Sequence, residues 1–167
     1  TGTYFPILHP YIQNLKIKRV KWEKQPIKNA QIVYYEDRIK TVESLLVKGK
    51  KNIIYLQNKK MHKQLGKLVQ YLKDKGWNGI YLLNANEKNE PHFKNLIKEE
   101  YLEKDAEVII TTSVAVEAIN ILDVDVETIH FLTFDNPRLM EQMVNRMRLN
   151  LPSKIYLYKK KKDTESF

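Results

Sequence analysis

The chain has 167 residues, 43% hydrophobic and 29% charged, and its 29 lysines and arginines outnumber 20 acidic residues to leave a net charge of +9. That length suits one domain with a sizeable core, and the positive balance suits a polyanionic partner through counterion release at phosphates. No apolar run approaches the roughly 18 residues of a membrane span, no signal-peptide pattern opens the chain, and the lack of cysteine excludes disulfides, thiolate metal sites and cysteine catalysis.

These features predict a cytoplasmic protein with no membrane partner. The charge is clustered: "KIKRVKWEK" (16–24), "KGKK" (48–51), "KKMHK" (59–63) and "KKKK" (159–162) are basic, whereas "EEYLEKDAE" (99–107) and residues 123–127 are acidic. His9, His62, His92 and His130 are scattered without ligand spacing, so no metal site is expected.

Residues 1–30 lack regular periodicity and read as a lead-in. From there strands and helices alternate. "QIVYY" (31–35) is β-branched and aromatic, a strand. Ile39, Val42, Leu45 and Leu46 have helical spacing over residues 36–48, and Gly49 stops them. "NIIYLQ" (52–57) is the second strand, followed by a helix to about Lys75 with Met61, Leu65, Leu68, Val69 and Leu72 on one side. "GIYLLN" (79–84) is the third strand, and Phe93, Leu96, Ile97, Tyr101 and Leu102 mark a helix behind Pro91. "EVIITT" (107–112) is the fourth, with a helix-like turn through Val114–Ala118 after it. "TIHFLTF" (128–134) is the fifth, Pro137 opens another helix, and "KIYLYKK" (154–160) is the sixth. Residues 163–167 read as a frayed end.

Near-continuous apolar strands between amphipathic helices predict a three-layer α/β/α sandwich with a mainly parallel sheet of about six strands over residues 31–162. Ligands of such sheets bind beyond the carboxyl ends of the strands. The polar residues there are Gln57, Asn58 and Lys59; Asn84 and Asn86; Thr111, Thr112 and Ser113; and Asp135 and Asn136.

Self-contained catalysis is not visible. The GxxxxGK[ST] phosphate loop, GxGxxG, GxSxG and HExxH patterns are all absent. Asp123 and Asp125 have the spacing for a cation or for a solvated turn. One stretch does carry chemistry, "EQMVNRMRLNLP" (141–152). Gln142 and Arg146, four apart, share a helix face opposite Leu139, Met140, Met143, Val144 and Met147. Arg148 can join Arg146 on one ligand only if the helix ends nearby, where Asn150 and Pro152 follow.

Three segments in order resemble the second, C-terminal RecA-like domain of superfamily 2 helicases of the DEAD/DEAH kind. "NIIYLQNKK" (52–60) is similar to motif IV, "VIITTSVAVEAINI" (108–121) to motif V, and "QMVNRMR" (142–148) to motif VI, commonly QxxGRxGR. The opening "TGTYFP" is similar to motif III, so the lead-in would come from a preceding motor domain. The resemblance implies a domain of an ATP-dependent helicase or translocase. Its partners would be the N-terminal RecA-like domain of the same parent chain and single- or double-stranded nucleic acid, DNA being the preferred choice. ATP would lie between the two domains, with Mg2+ held by the other one. Arg146 and Arg148 match the catalytic arginines that stabilise the transferred phosphoryl group, and Gln142 and Asn120 the ATP contacts. Asn58, Lys59, Thr112 and Ser113 match the nucleic-acid contacts, which position the strand by its backbone.

The departures are Ala118 for the motif V glycine, Asn120 for its aspartate, Asn145 and Arg148 at the motif VI glycines, and Leu149 at its second arginine. The chain alone is expected to hydrolyse no ATP. Two alternatives stay open: a non-catalytic helicase-like nucleic-acid-binding module, and an unrelated α/β enzyme domain.

Overall fold

The protein was analysed as a computed structural model, which describes residues 30–56, 62–84, 87–112, 119–132, 137–147 and 152–161. The elements follow in chain order as β1 (Gln31–Tyr35), α1 (Arg38–Leu45), β2 (Lys51–Leu56), α2 (His62–Asp74), β3 (Ile80–Leu83), α3 (Pro91–Glu99), β4 (Val108–Thr112), β5 (Val126–Phe131), α4 (Pro137–Asn145) and β6 (Lys154–Lys160). The sheet order is β1-β6-β5-β2-β4-β3, and every pairing is parallel. The expected α/β/α sandwich is therefore what forms.

Alternation along each strand divides the core between the sheet's two faces. On one face, Ile53, Tyr55, Ile109, Ile129, Phe131, Ile155 and Leu157 meet Phe93 and Leu96 of α3 and Met140, Met143 and Val144 of α4. On the other, Ile54, Leu56, Val108, Ile110, Tyr156 and Tyr158 meet Val42 of α1 and Leu68 and Leu72 of α2. All six residues of β2 are buried, which is why its sequence reads as an apolar run rather than an alternation.

Local chemistry sets several boundaries. Asp37 caps α1 by accepting the Lys40 N–H at 3.2 Å, so that helix starts at Arg38 rather than at residue 36. The helix behind Pro91 stops at Glu99, short of the expected Tyr101 and Leu102. Glu100 turns left-handed at φ 64° and donates its N–H to the Leu96 carbonyl, and its own carbonyl accepts from Leu122 N–H at 2.8 Å. This long-range bond holds a non-glycine residue in a conformation that only tertiary contacts justify. Gly79, at φ +60°, precedes β3 where an added Cβ would lie 2.0 Å from the Asp105 carbonyl oxygen, so the backbones there meet too closely for any side chain.

Two polar arrangements hold the sheet. The Thr128 hydroxyl donates to Asn52 Oδ1 at 2.7 Å. It therefore accepts from His130 Nε2–H, also at 2.7 Å, and His130 Nδ1 accepts the Tyr158 O–H at the same distance. Asn52 completes the chain by donating to the Val47 and Glu107 carbonyls. His130 is wholly buried, and burial pushes its pKa down from 6.5 to about 3, so it stays neutral. At the N-terminal end of β2, Lys51 Nζ lies 2.8 Å from Asp125 and 3.5 Å from Asp123, while Asp123 also accepts the Leu102 N–H at 2.8 Å. The acidic pair thus clasps the protein's own ammonium, with Asp123 buried and Asp125 still 43% exposed. Among the described residues no helix is long and apolar enough to cross a membrane.

Candidate functional site

The structure sorts the site residues predicted from sequence into two places. Thr112 ends β4, at the carboxyl edge of the sheet. Its hydroxyl is buried and makes no hydrogen bond among the described residues, whereas that of Thr111 donates to the Leu83 carbonyl at 3.2 Å. A buried hydroxyl without a partner keeps a desolvation cost that a ligand oxygen could relieve. Asn58, Lys59 and Ser113, which follow β2 and β4, lie outside the described residues, as does the turn expected through Val114–Ala118.

The second place is the end of α4. Pro137 starts this helix as expected, and Met140, Met143, Val144 and Met147 are buried. The helix ends at Asn145. Arg146 N–H bonds to the Met143 carbonyl at 3.1 Å and Met147 N–H to that of Val144 at 3.0 Å, which tightens the chain from four-residue to three-residue spacing. Arg146 therefore stands one residue past the helix, so the break falls earlier than the neighbourhood of Arg148 that the sequence suggested. Arg148 itself lies outside the described residues.

Here the chain meets the segment that follows β4. Ile121 N–H bonds to the Arg146 carbonyl at 2.8 Å, and Ile121 and Met147 form a parallel bridge. Asn120 is thus brought beside Arg146, and its amide donates to Glu100 Oε1 at 3.1 Å. Gln142 is half-buried one turn back. Arg146 is 9% exposed, and Glu141 is 7% exposed among the methionines. Sequence reasoning passed over Glu141, and its one signal is that position 141 lies three before buried Val144 on a helix.

The two places are separate. Ile121 is two residues from Asp123, which holds Lys51 at the amino end of β2, whereas Thr112 is at the carboxyl end of β4. The rule that ligands sit beyond the carboxyl ends of strands thus fits the position of Thr112 and not that of Arg146. A cleft of about 670 Å³ also opens at the amino ends. Glu99, Glu103, Asp105 and Asp123 line it with Lys51 and Lys104, a net negative lining that disfavours an anionic ligand. Among the described residues no three acidic or histidine side chains converge as a metal site.

Sequence reasoning also missed Arg38. Its guanidinium donates to the Leu132 carbonyl at 3.1 Å and to Gln64 Oε1 of α2, and lies 5.4 Å from the centre of the Tyr35 ring. It ties α1, α2 and the end of β5 together at the carboxyl edge. Nothing in the local pattern around residue 38 distinguishes it from a surface arginine.

An all-parallel sheet in this order, with helices on both faces among the described residues, is a RecA-like α/β fold, the fold of helicase domains. Three of the solved structures similar to it in fold are helicase or ATPase domains. The Hef helicase domain of Pyrococcus furiosus is 15% identical, with a TM-score of 0.53, over 77% of this chain and 26% of that one. The E. coli DEAD-box protein SrmB, solved bound to regulator of ribonuclease activity A, is 21% identical with a TM-score of 0.54, over 78% of this chain and 77% of that one. The C-terminal part of the Fun30 ATPase domain is 16% identical with a TM-score of 0.52, over 77% and 41%. The chain thus spans about a quarter of the Hef domain's length, and at these identities the likeness is one of fold. No protein-family profile matches the chain, and no curated protein does.

Proposed function

We propose that this chain is the C-terminal motor domain of an ATP-dependent nucleic-acid helicase or translocase. In this reading residues 31–162 form the domain and residues 1–30 lead in from a preceding one. Thr112, Ser113, Asn58 and Lys59 contact the nucleic-acid backbone at the carboxyl edge of the sheet. Arg146, with Arg148, faces the nucleotide held by the N-terminal RecA-like domain of the parent protein, and Gln142 and Asn120 flank it. The bond from Ile121 N–H to the Arg146 carbonyl carries the reading most directly, because it joins two segments separated in sequence that resemble motifs V and VI. A guanidinium and two side-chain amides are hydrogen-bond donors, the kind of group that suits the anionic oxygens of ATP. When bound, ATP would supply the free energy for domain closure. This chain contributes charge and orientation, while Mg2+ and the phosphate loop belong to the other domain.

A second reading has its own observation. Arg146 exposes only 9% of its surface, as a structural arginine would. That favours a nucleic-acid-binding module without ATP chemistry. DNA-stimulated ATP hydrolysis by the parent protein, beside its Arg146→Ala variant, separates the two. Stimulated turnover that falls at least about a hundredfold in the variant supports the motor, since a finger arginine is worth roughly 10³–10⁵ in rate. Turnover that is absent, or unchanged by the substitution, hands the domain to the binding-module reading.

A further inference from the structure

The free edge of the sheet carries a surface that neither candidate site uses. Among the described residues β1 is an edge strand, paired with β6 alone. Val33 and Tyr35 point into the core beside α1, so Ile32 and Tyr34 point to the opposite face. There they stay open, Ile32 being 48% and Tyr34 60% exposed. The parallel register sets Ile32 beside Leu157 and Tyr34 beside Lys159, and aligned residues share a face. Lys159, Lys160 and Lys161 are all exposed, and among the described residues the acid paired with them is Glu36, 3.7 Å from Lys161 with both side chains largely in solvent. Such a pair holds its lysine only weakly.

We propose that Tyr34 and Ile32, flanked by Lys159 and Lys161, form a stacking platform for single-stranded nucleic acid on this edge of the sheet. An exposed tyrosine on a sheet surface offers an unpaired base a π-face, and the neighbouring ammonium groups meet the phosphates on either side. Two apolar side chains are too few for the roughly 800 Å² per partner that a stable protein interface buries. Protection against edge-to-edge pairing is no explanation either. Edge strands are guarded by lysine or proline of their own, and β1, Gln31–Tyr35, has neither. The platform would lengthen the strand's track beyond the carboxyl edge at β2 and β4, and it rests on the nucleic-acid half of the function proposed above.

The test is fluorescence anisotropy of a labelled oligothymidylate with the whole 167-residue chain, titrated at several salt concentrations. Tyr34→Ala should weaken binding about tenfold at fixed salt, and Tyr34→Phe should stay within about twofold, because stacking needs the ring and not the hydroxyl. Lys159→Glu should lower the slope of log affinity against log salt by about 0.7, one single-strand phosphate. Lys59→Glu serves as the comparison at the carboxyl edge. If it abolishes binding while Tyr34→Ala binds like the wild type, the platform is wrong and the edge contacts stand. If Tyr34→Ala alone matters, the platform stands and the edge assignment falls. No binding by the wild-type chain at low salt overturns the platform, and so does a shift in sedimentation with Tyr34→Ala in place of a loss of affinity, which would mark a protein contact instead.

Discussion

Two threonines in neighbouring parts of one sheet meet opposite fates. Thr128 in β5 is fully buried, and its hydroxyl both donates and accepts, linking Asn52 through His130 to Tyr158. Thr112 at the end of β4 also buries its hydroxyl, and among the described residues that group bonds to nothing. Both hydroxyls gave up water on folding, yet only one recovered a partner. The closed chain is a device for stability: it crosses the middle of the sheet from β2 through β5 to β6, and its every link is neutral and directional. The open hydroxyl contributes no such bond, and its position at a strand end is where a parallel sheet keeps its ligand contacts. Satisfied and unsatisfied polar groups therefore separate framework from candidate site.

Breaking the closed chain should have the largest effect on stability. Thr128→Val keeps the shape and removes both bonds, leaving the His130 Nε2–H buried without an acceptor. We expect about 2–3 kcal/mol of destabilisation, read as a lower urea midpoint with an unchanged slope. A loss below about 0.5 kcal/mol would mean that the chain is ornamental. Acid should act on the same residues with slightly less force. His130 has its pKa pushed down to about 3 by burial, below the value near 6.5 of an unfolded histidine. The unfolded state therefore binds the proton first. The stabilisation is complete above about pH 6.5 and drains away as the pH falls toward 3. Between pH 7 and 5 the wild type should lose about 2 kcal/mol more than a His130→Gln variant. Equal losses in the two proteins would show that His130 takes up protons in the fold as freely as outside it.

How far the sequence reaches follows the same division between local and distant causes. The strands were legible because burial on both faces writes itself as runs such as Ile53–Leu56 and Val108–Ile110. The start of α4 was legible because proline suits a first helical turn. The stop at Glu99 was not, because the left-handed Glu100 depends on Leu122, more than twenty residues away. The role of Asp123 and Asp125 was not legible either. Their spacing suits a cation or a solvated turn, and the cation they meet is Lys51, more than seventy residues back in the chain. In the candidate site the residue types could be named from motif-like spacing. What could not be read was that Arg146 leaves the helix and is buried beside Asn120, because a bridge between Ile121 and Met147 has no local signature. His130 packs in the core, and the three residues that fix its tautomer lie on three different strands.

The smallest stability effect tests the comparison most closely. Thr112→Val exchanges a hydroxyl for a methyl of nearly the same size, at a place where the hydroxyl has no partner to lose. The fold should keep its stability or gain up to about 1 kcal/mol, since removing an unsatisfied buried polar group relieves its desolvation. If that hydroxyl meets a phosphate in the parent's nucleic-acid complex, the same substitution should weaken binding about tenfold, the weight of one hydrogen bond to a charged acceptor. Each pairing of results has a meaning. A variant that is stable and binds poorly makes Thr112 a ligand contact held ready by the fold. One that is stable and binds normally makes its hydroxyl an uncorrected flaw at the end of β4. One destabilised by more than about 1 kcal/mol would mean that the hydroxyl finds a partner in solution, and the contrast with Thr128 would fail.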